Sequence, residues 1–211
     1  MIKNFISKHL DFRIYGVTWI AIIVALLIYP ALLYVPQKYG FENGLIENIQ
    51  MGVLWIMIFT ALKAKYNKRF FKLVALILTI IIIREVNCGR TLFFHIPGTE
   101  NSYYPWREIK YGYLAHPIYG AYIGIVALVA LLNKFFIDLY EIVKNIKFPV
   151  WNVLLATVAT FMGAIAEKLT NNNFIFEEGF ELLFYVSLFG IIYLYSRHKN
   201  FAIEEKDNQA E

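Results

Sequence analysis

Ionisable side chains stand near one end of several long apolar stretches in this sequence. The run that begins at Leu73 carries these polar or charged residues near its end: Arg84, Glu85, Asn87 and Arg90. A charged side chain inside a membrane helix costs a few kcal/mol, so its presence there points to a function. We predict that residues 73–90 form one helix that carries all of them.

Other apolar stretches bring carboxylates and a histidine to the same end of the predicted bundle. Glu47 lies near the start of the second stretch, and His116 lies near the start of the fourth. Glu167 ends the fifth stretch, while Glu178 and Glu181 begin the sixth. Carboxylates that lie close together beside cationic groups have different pKa values, which suits general acid–base catalysis. We therefore predict a shared polar cavity that opens at this end.

The chemistry of these residues suggests their roles. The predicted catalytic residues, which would transfer protons, are Glu47, Glu85, His116, Glu178 and Glu181. The predicted substrate-binding residues, whose cationic members would hold phosphate or carboxylate, are Arg84, Asn87, Arg90, Glu167 and Lys168. Each residue taken alone also has a structural interpretation. A Glu in a first helical turn caps the helix, and an Arg near a helix end reaches the membrane surface.

A divalent cation is a further hypothesis for this cavity, and its identity stays open. The candidate ligands are His116, His95 and Glu181. Catalytic zinc is usually held by three protein ligands, and histidine is common among them. The histidines here do not follow the spacing of a known metal motif. Cys88 is the only cysteine, so an intrachain disulfide is impossible.

The composition places these residues in a membrane protein. Of 211 residues, 59% are hydrophobic and 17% are charged, whereas a soluble domain has roughly 25% charged residues. Apolar runs of about 18 residues or more are typical of transmembrane helices. The six predicted spans are residues 14–35, 45–62, 73–90, 113–132, 150–168 and 178–195. We predict an all-α integral membrane bundle in one domain, residues 1–211, without a separate soluble domain.

The segments outside the spans have their own predictions. Residues 1–13 are predicted to form an interfacial helix, residues 134–148 an amphipathic segment on the inner surface, and residues 197–211 a cytoplasmic tail. Gly120 and Gly124 predict close approach of a neighbouring helix to the fourth span. The fifth span has a stripe of small residues that predicts tight packing with Glu167 pointing into the bundle. The stripe comprises Ala156, Thr160, Gly163 and Ala164.

The distribution of charge predicts the topology. Lys and Arg are concentrated in the predicted termini and alternate loops, with 14 of the 20 on one side. Because basic loops stay in the cytoplasm, both termini are predicted to be cytoplasmic. The other side holds 9 of the 16 acidic residues, which hardly influence insertion and so require another explanation. The net charge of +4 is modest and spread over loops, so we predict no nucleic-acid partner. Richness in Ile, Lys, Asn, Phe and Tyr favours a bacterial inner membrane.

Residues 84–93, REVNCGRTLF, resemble a motif of uncharacterised bacterial multi-pass membrane proteins. In those proteins a helix ends in Glu-Glu-Ile-Ser-Trp-Gly-Gln-Arg or a close variant, after an earlier helix that opens with an E-x-x-x-E type segment. The positions that match are Glu85, Val86, Asn87 and Gly89, and those that differ are Arg84, Cys88 and Arg90. Glu42 and Glu47 are similar to the earlier segment. The resemblance implies a six-helix bundle with the motif at the outer surface, and it implies no activity.

Three functions are compatible with these patterns. The first is an enzyme that acts on a lipid-linked or envelope substrate by acid–base chemistry, with or without a metal. The second is a small proton- or cation-coupled transporter, or a subunit of one, which would need polar residues along the whole path. The third is a non-catalytic membrane protein that binds a ligand or partner. A cavity with lateral access to lipid would favour the enzyme.

Overall fold

Helices begin and end close to the limits of the predicted apolar runs. The computed structural model describes residues 9–99, 101–133, 135–145, 147–169 and 173–201. The α-helices are α1 (Gly16–Tyr34), α2 (Leu45–Leu62), α3 (Lys68–Glu85), α4 (Arg90–Phe93), α5 (Ala115–Leu132), α6 (Phe135–Asn145), α7 (Val150–Leu169) and α8 (Phe174–Arg197). Short 3₁₀ turns lie at Gln37–Gly40, Asn87–Gly89, Trp106–Glu108, Gly112–Leu114 and Lys199–Phe201. Two short strands, β1 (Leu10–Asp11) and β2 (Phe148–Pro149), pair in parallel. The all-α prediction is confirmed.

The last described helix, α8, is the centre of the bundle. It packs mainly against α7, α2 and α1, while α3 packs against α2 and α5 packs against α3. The apolar window of α8 is 56% buried, whereas that of α5 is only 11% buried. Side chains from α8 therefore enter two apolar clusters, one with α2 and α3 and one with α1 and α7.

The length and surface of these helices are those of a multi-pass membrane protein. Five helical segments, which contain α1, α2, α5, α7 and α8, are long and apolar enough to cross a bilayer. Many large apolar side chains point outward, among them Leu26, Leu132 and Phe161. Helix α3 has the length of a span, about 27 Å, but charged residues stand at both of its ends.

The two ends of the bundle differ in charge. The acidic end is the end at which α2, α5 and α8 begin and α1, α3 and α7 end; the basic end is the opposite one. At the basic end, the backbone N–H groups of Lys65 and Tyr66 donate to the carbonyl of Ser196 at 2.8 and 3.1 Å. At the acidic end, Nε2 of Gln37 donates to Oδ1 of Asn173 at 3.2 Å. These contacts connect segments that are distant in sequence.

The third predicted span ends earlier than the sequence suggested. Helix α3 stops at Glu85, and the backbone is left-handed at Asn87 (φ 44°), Cys88 (φ 52°) and Gly89 (φ 88°). Asn and Gly adopt this conformation more easily than other residues, so they end a helix. The prediction that Asn87 and Arg90 continue the helix of Glu85 is therefore wrong.

Other limits also need correction. Helix α8 begins at Phe174 rather than at residue 178, because Oδ1 of Asn173 accepts a hydrogen bond of 3.3 Å from the backbone N–H of Phe176 and caps the helix. Residues 1–8 of the predicted interfacial helix lie outside the described residues, and Leu10–Asp11 is a strand instead. Of the predicted tail, residues 202–211 also lie outside them. The amphipathic segment 134–148 contains α6 and the first residue of β2.

The two predictions from small residues have different outcomes. Helix α7 packs closely against α8, with Ala159 buried in a cluster of α8 side chains and Gly163 facing Phe180. Glu167 is nevertheless exposed, so the prediction that it points into the bundle is wrong. Gly120 and Gly124 have open space at the position of a side chain, so no described helix approaches them closely.

Candidate functional site

Helices α2 and α8 meet at the acidic end through buried polar side chains. Glu47 lies in the first turn of α2, is 8% exposed, and accepts a hydrogen bond from the backbone N–H of Asn43. One turn further, the fully buried Gln50 donates from Nε2 to the carbonyl oxygen of Glu178 at 2.9 Å and to its Oε2 at 2.8 Å. A buried amide thus holds the Glu178 carboxyl group against α2.

Helices α3 and α8 meet near this contact through a second carboxyl group, that of Glu85. The hydroxyl of Tyr185 donates a hydrogen bond of 2.8 Å to Oε1 of Glu85. Nε of Arg84 lies 4.0 Å from the same oxygen, and the Arg84 side chain is largely exposed while that of Glu85 is 11% exposed. Glu85 is therefore fixed between a buried phenol and an exposed guanidinium.

The carboxyl groups of these three helices form one cluster. Glu181 interacts electrostatically with Glu85, Glu177, Glu47 and Arg84, and Glu178 interacts with Glu181 and Glu47. We call Glu47, Glu85, Glu178 and Glu181 the acidic cluster. Because like charges repel strongly where water is scarce, the cluster is suited to hold or exchange protons or to bind a cationic group.

A cleft of about 250 Å³ gives access to part of this cluster. It lies between α7 and α8, with Arg84 of α3 at its rim. We call it the polar cleft. Its polar lining residues are Arg84, Thr160, Glu167, Glu177, Glu181 and Tyr185. Phe180 and Phe184 supply aromatic walls. Thr160, Ala164 and Glu167 are exposed on the outside of the bundle, so the cleft opens sideways between helices.

The acidic cluster divides into an accessible part and a buried part. Glu181 lines the polar cleft, and Glu85 reaches it through Tyr185 and Arg84. Glu47 and Glu178 lie behind them on the α2 side and do not line the cleft. Any direct contact with a ligand in the cleft therefore involves Glu181 before the buried pair.

The histidines predicted as catalytic or metal-binding residues lie away from the polar cleft. The ring of His116 is exposed and contacts the ring of Trp106 edge-on at 5.7 Å. The ring of His95 is exposed and contacts that of Tyr103 at 5.4 Å. Neither histidine joins Glu181, so the three candidate ligands do not converge. Within the described part of the chain, no three His, Cys, Asp or Glu side chains are placed to hold one metal ion.

The predicted substrate-binding residues separate in the same way. Arg84 and Glu167 line the polar cleft, but Asn87, Arg90 and Lys168 do not. With the Asn87 amide oriented so that its oxygen faces Arg90, the guanidinium donates to that oxygen at 2.8 and 3.2 Å. This pair stabilises the left-handed turn after α3. Lys168 is exposed near the end of α7.

Sequence reasoning left Tyr185, Gln50 and Glu177 out of the predicted site. Glu177, Glu181 and Tyr185 are spaced by four residues and share one face of α8, so an earlier helix start would have indicated them. Gln50 lies one turn after Glu47 on the same face of α2. Its role depends on the position of α8, which the sequence does not specify.

The loop between α4 and α5 reaches the acidic end near Glu47. The hydroxyl of Tyr103 donates to the carbonyl oxygen of Glu42 at 2.9 Å. Burial raises the pKa of Tyr103, and repulsion from Glu42 and Glu47 adds to this effect. The loop therefore covers the entrance to α2 with an uncharged phenol.

Comparison of the chain with models of protein families, with curated proteins and with solved structures finds no match. Its function is accordingly argued from the site alone.

Proposed function

We propose that this chain is a membrane enzyme that acts on a lipid-linked or envelope substrate by acid–base chemistry. The observation that carries the proposal is the polar cleft, which joins carboxyl groups, a guanidinium and lateral access between helices. A substrate anchored in lipid reaches such a site without leaving the membrane. A flat polar cap, as expected for a partner-binding surface, would lack this access.

In this proposal each cleft residue has a separate task. Glu181 faces the cleft and exchanges a proton with the substrate. Glu85, oriented by Tyr185, is the second carboxyl group of the pair. Arg84 is exposed at the rim and binds a phosphate or carboxylate group of the substrate. Glu47 and Glu178 are buried behind the pair and help to set its charge.

The membrane arrangement is part of the proposal. We place α3 as a sixth span beside the five apolar ones, with its terminal charged residues at the two membrane surfaces. The concentration of Lys and Arg at the basic end supports cytoplasmic N- and C-termini in a bacterial inner membrane. The acidic end, with the polar cleft, then faces outward. The resemblance of residues 84–93 to uncharacterised multi-pass proteins agrees with this arrangement.

A transporter is less well supported, because the polar character of the path ends below the cleft. On the next turns of the same helices, a cavity of about 350 Å³ is lined by apolar side chains such as Ile81, Leu188 and Ile191. Protons and cations cross membranes through chains of ionisable groups or water-filled cavities. Among the described residues of this cavity none is ionisable except Tyr195.

Lipid mass spectrometry tests the enzymatic function. Extracts from bacteria that express the wild-type chain are compared with extracts from cells that express Glu181→Gln or Glu108→Gln. Glu108 is an exposed carboxylate of the same end and serves as the matched control. We expect the amount of a lipid or lipid-linked species to differ between cells with the wild type and cells with Glu181→Gln. Cells with Glu108→Gln should match the wild type. Identical lipid profiles in all strains, with each protein folded in the membrane, would exclude the proposed activity.

A further inference from the structure

The polar cleft and an apolar cavity lie end to end along α8, and we call the two together the groove. The groove lies between α3 and α7, and α8 forms its floor. The part toward the basic end is the apolar cavity of about 350 Å³. Small-molecule sites usually have volumes of roughly 300–1,000 Å³. Ile81 and Arg84 of α3, and Phe184 and Leu188 of α8, stand one turn apart on either side of the boundary. The two cavities therefore lie within about one helical turn of each other.

A single face of α8 forms the floor along the whole groove. The side chains on this face, in order from the acidic to the basic end, are Glu177, Glu181, Phe184, Leu188, Ile191 and Tyr195. Their alternate spacing of four and three residues keeps them in line on a helix. The floor is thus ionisable at the acidic end and mostly apolar from Phe184 onward, as a lipid is polar at its headgroup and apolar along its chain.

We propose that this groove binds one zwitterionic phospholipid with a primary ammonium headgroup. The headgroup lies in the polar cleft, and one acyl chain lies in the apolar cavity. The inference deepens the proposed function and rests on it, because the chain-binding half would hold the lipid part of a lipid-linked substrate or product.

The charge of the polar cleft selects the headgroup. Glu167, Glu177 and Glu181 provide carboxyl groups, and Arg84 provides one guanidinium. A primary ammonium group is complementary to the carboxylates, and the adjacent phosphate is complementary to Arg84. An anionic phospholipid without an ammonium group could also place its phosphate near Arg84, but it would leave the carboxylates without a cationic partner.

The length of the apolar cavity suits one acyl chain. Along α3 the cavity extends from Phe70 to Ile81, about 16 Å at 1.5 Å per residue. This length is close to the thickness of one leaflet, about half of a 30 Å hydrocarbon core. At the lower limit, Leu139 of α6 joins the lining, and the Phe135 ring stacks on Phe70 at 5.0 Å. Helix α6 therefore closes the cavity near the basic end of the bundle.

Lipid binding and photo-crosslinking test the inference without reference to turnover. The full chain is placed in nanodiscs that contain equal amounts of phosphatidylethanolamine and phosphatidylglycerol, and retained lipid is identified by native mass spectrometry. We expect one retained phosphatidylethanolamine per chain. An analogue with a photoreactive acyl chain should crosslink to residues of the apolar cavity in the wild-type protein.

Variants define the site further. Leu188→Trp fills the apolar cavity and should reduce retention about tenfold, whereas Leu128→Trp on the exposed face of α5 should not change it. Glu177→Gln should reduce the preference for phosphatidylethanolamine over phosphatidylglycerol. Three results for the wild-type protein would overturn the proposal: preference for phosphatidylglycerol, absence of a retained lipid, or crosslinks outside the cavity. These measurements decide the question even if Leu188→Trp fails to fold.

The outcomes also separate this inference from the proposed function. Retention of phosphatidylethanolamine with no lipid conversion would support the binding groove and exclude the enzymatic function. Lipid conversion by a wild-type protein that retains no phospholipid would support the enzymatic function and exclude the binding groove.

Discussion

The hydroxyl of Tyr185 donates a hydrogen bond of 2.8 Å to Oε1 of Glu85, and this contact joins α8 to α3 beside the polar cleft. A phenol oriented on a carboxylate fixes one of its oxygens and leaves the other for a further partner. The contact therefore has both a structural and a positioning role, and substitutions of its two members should separate them.

Tyr185→Phe should reduce stability, because Oε1 of Glu85 loses its donor in a largely buried position. Hydrogen bonds to charged groups contribute about 1.5–3 kcal/mol. Glu85→Gln keeps an acceptor for Tyr185, so it should reduce stability less while abolishing lipid conversion. Thermal unfolding in detergent measures the first effect and lipid mass spectrometry the second. Tyr193→Phe, on an exposed part of the same helix, is the control. If Glu85→Gln loses as much folded protein as it loses lipid conversion, Glu85 has a purely structural role.

Gly190→Ala should destabilise the contact of α8 with α7 and α1. A methyl group at this position would clash with Nδ2 of Asn152, and Oδ1 of the same side chain accepts a hydrogen bond of 2.6 Å from Thr18. Overpacking of this kind costs about 1–3 kcal/mol. Unfolding temperature is the measurement, and Gly52→Ala, which has open space on α2, is the control. An unchanged unfolding temperature in Gly190→Ala would mean that Asn152 moves freely.

Acid should weaken the interactions of Asp11, which lies just before α1. Arg13, through hydrogen bonds of 2.7 to 3.2 Å, lowers the pKa of the buried Asp11 from its ordinary value of 3.8 to about 2, and Tyr15 assists. Because the folded state favours the ionised form, this stabilisation is complete above pH 4 and is lost as the pH falls through about 2. The contribution is on the order of 2 kcal/mol. Unfolding measured between these pH values should show the loss.

The matched variants for the acid experiment are Asp11→Asn and Asp138→Asn. Asp11→Asn should remove most of the pH dependence in this range. Asp138 pairs with Arg69 at 3.6 Å in a partly exposed position, so its substitution should have little effect. The same pH dependence in all proteins would assign the acid sensitivity to other groups.

Cysteine accessibility should decide the orientation of the bundle. In a Cys88→Ser background, Ser102→Cys lies at the acidic end, and Lys65→Cys and Lys199→Cys lie at the basic end; all three positions are exposed. A membrane-impermeant maleimide applied to intact cells should label Ser102→Cys alone. Labelling of both basic-end positions instead would invert the topology. Labelling of only one of them would contradict the contact between Lys65 and Ser196 that places both positions at the basic end.

Much of the fold follows from the sequence, because long apolar runs need helices in a membrane. The limits predicted for α2 coincide with those of the structure. The end of α3 was missed because Asn87 and Gly89 looked like continuations of a helix, although their tolerance of left-handed backbone makes them stop signals. The start of α8 was missed because Glu178 and Glu181 resembled a first turn, while Asn173 is the cap.

The arrangement of the site was harder to predict. Helix α8 is packed against several helices, so its sequence places Tyr185 on the face of Glu177 and Glu181 but does not indicate which helices that face meets. The roles of Gln50 and Tyr185 depend on that rotation. His116 was grouped with the carboxylates because it lies at the same end, but depth in the membrane does not determine the direction in which a side chain points.

The central position of α8 has a consequence for biogenesis. The ribosome makes this helix after α1, α2 and α7, so those segments enter the bilayer before the helix that they pack against exists. Until α8 is inserted, the Nε2 of Gln50 lacks the two Glu178 oxygens to which it donates in the folded bundle. Assembly is therefore concentrated in one late step, and chains interrupted before α8 should be substrates for membrane quality-control proteases.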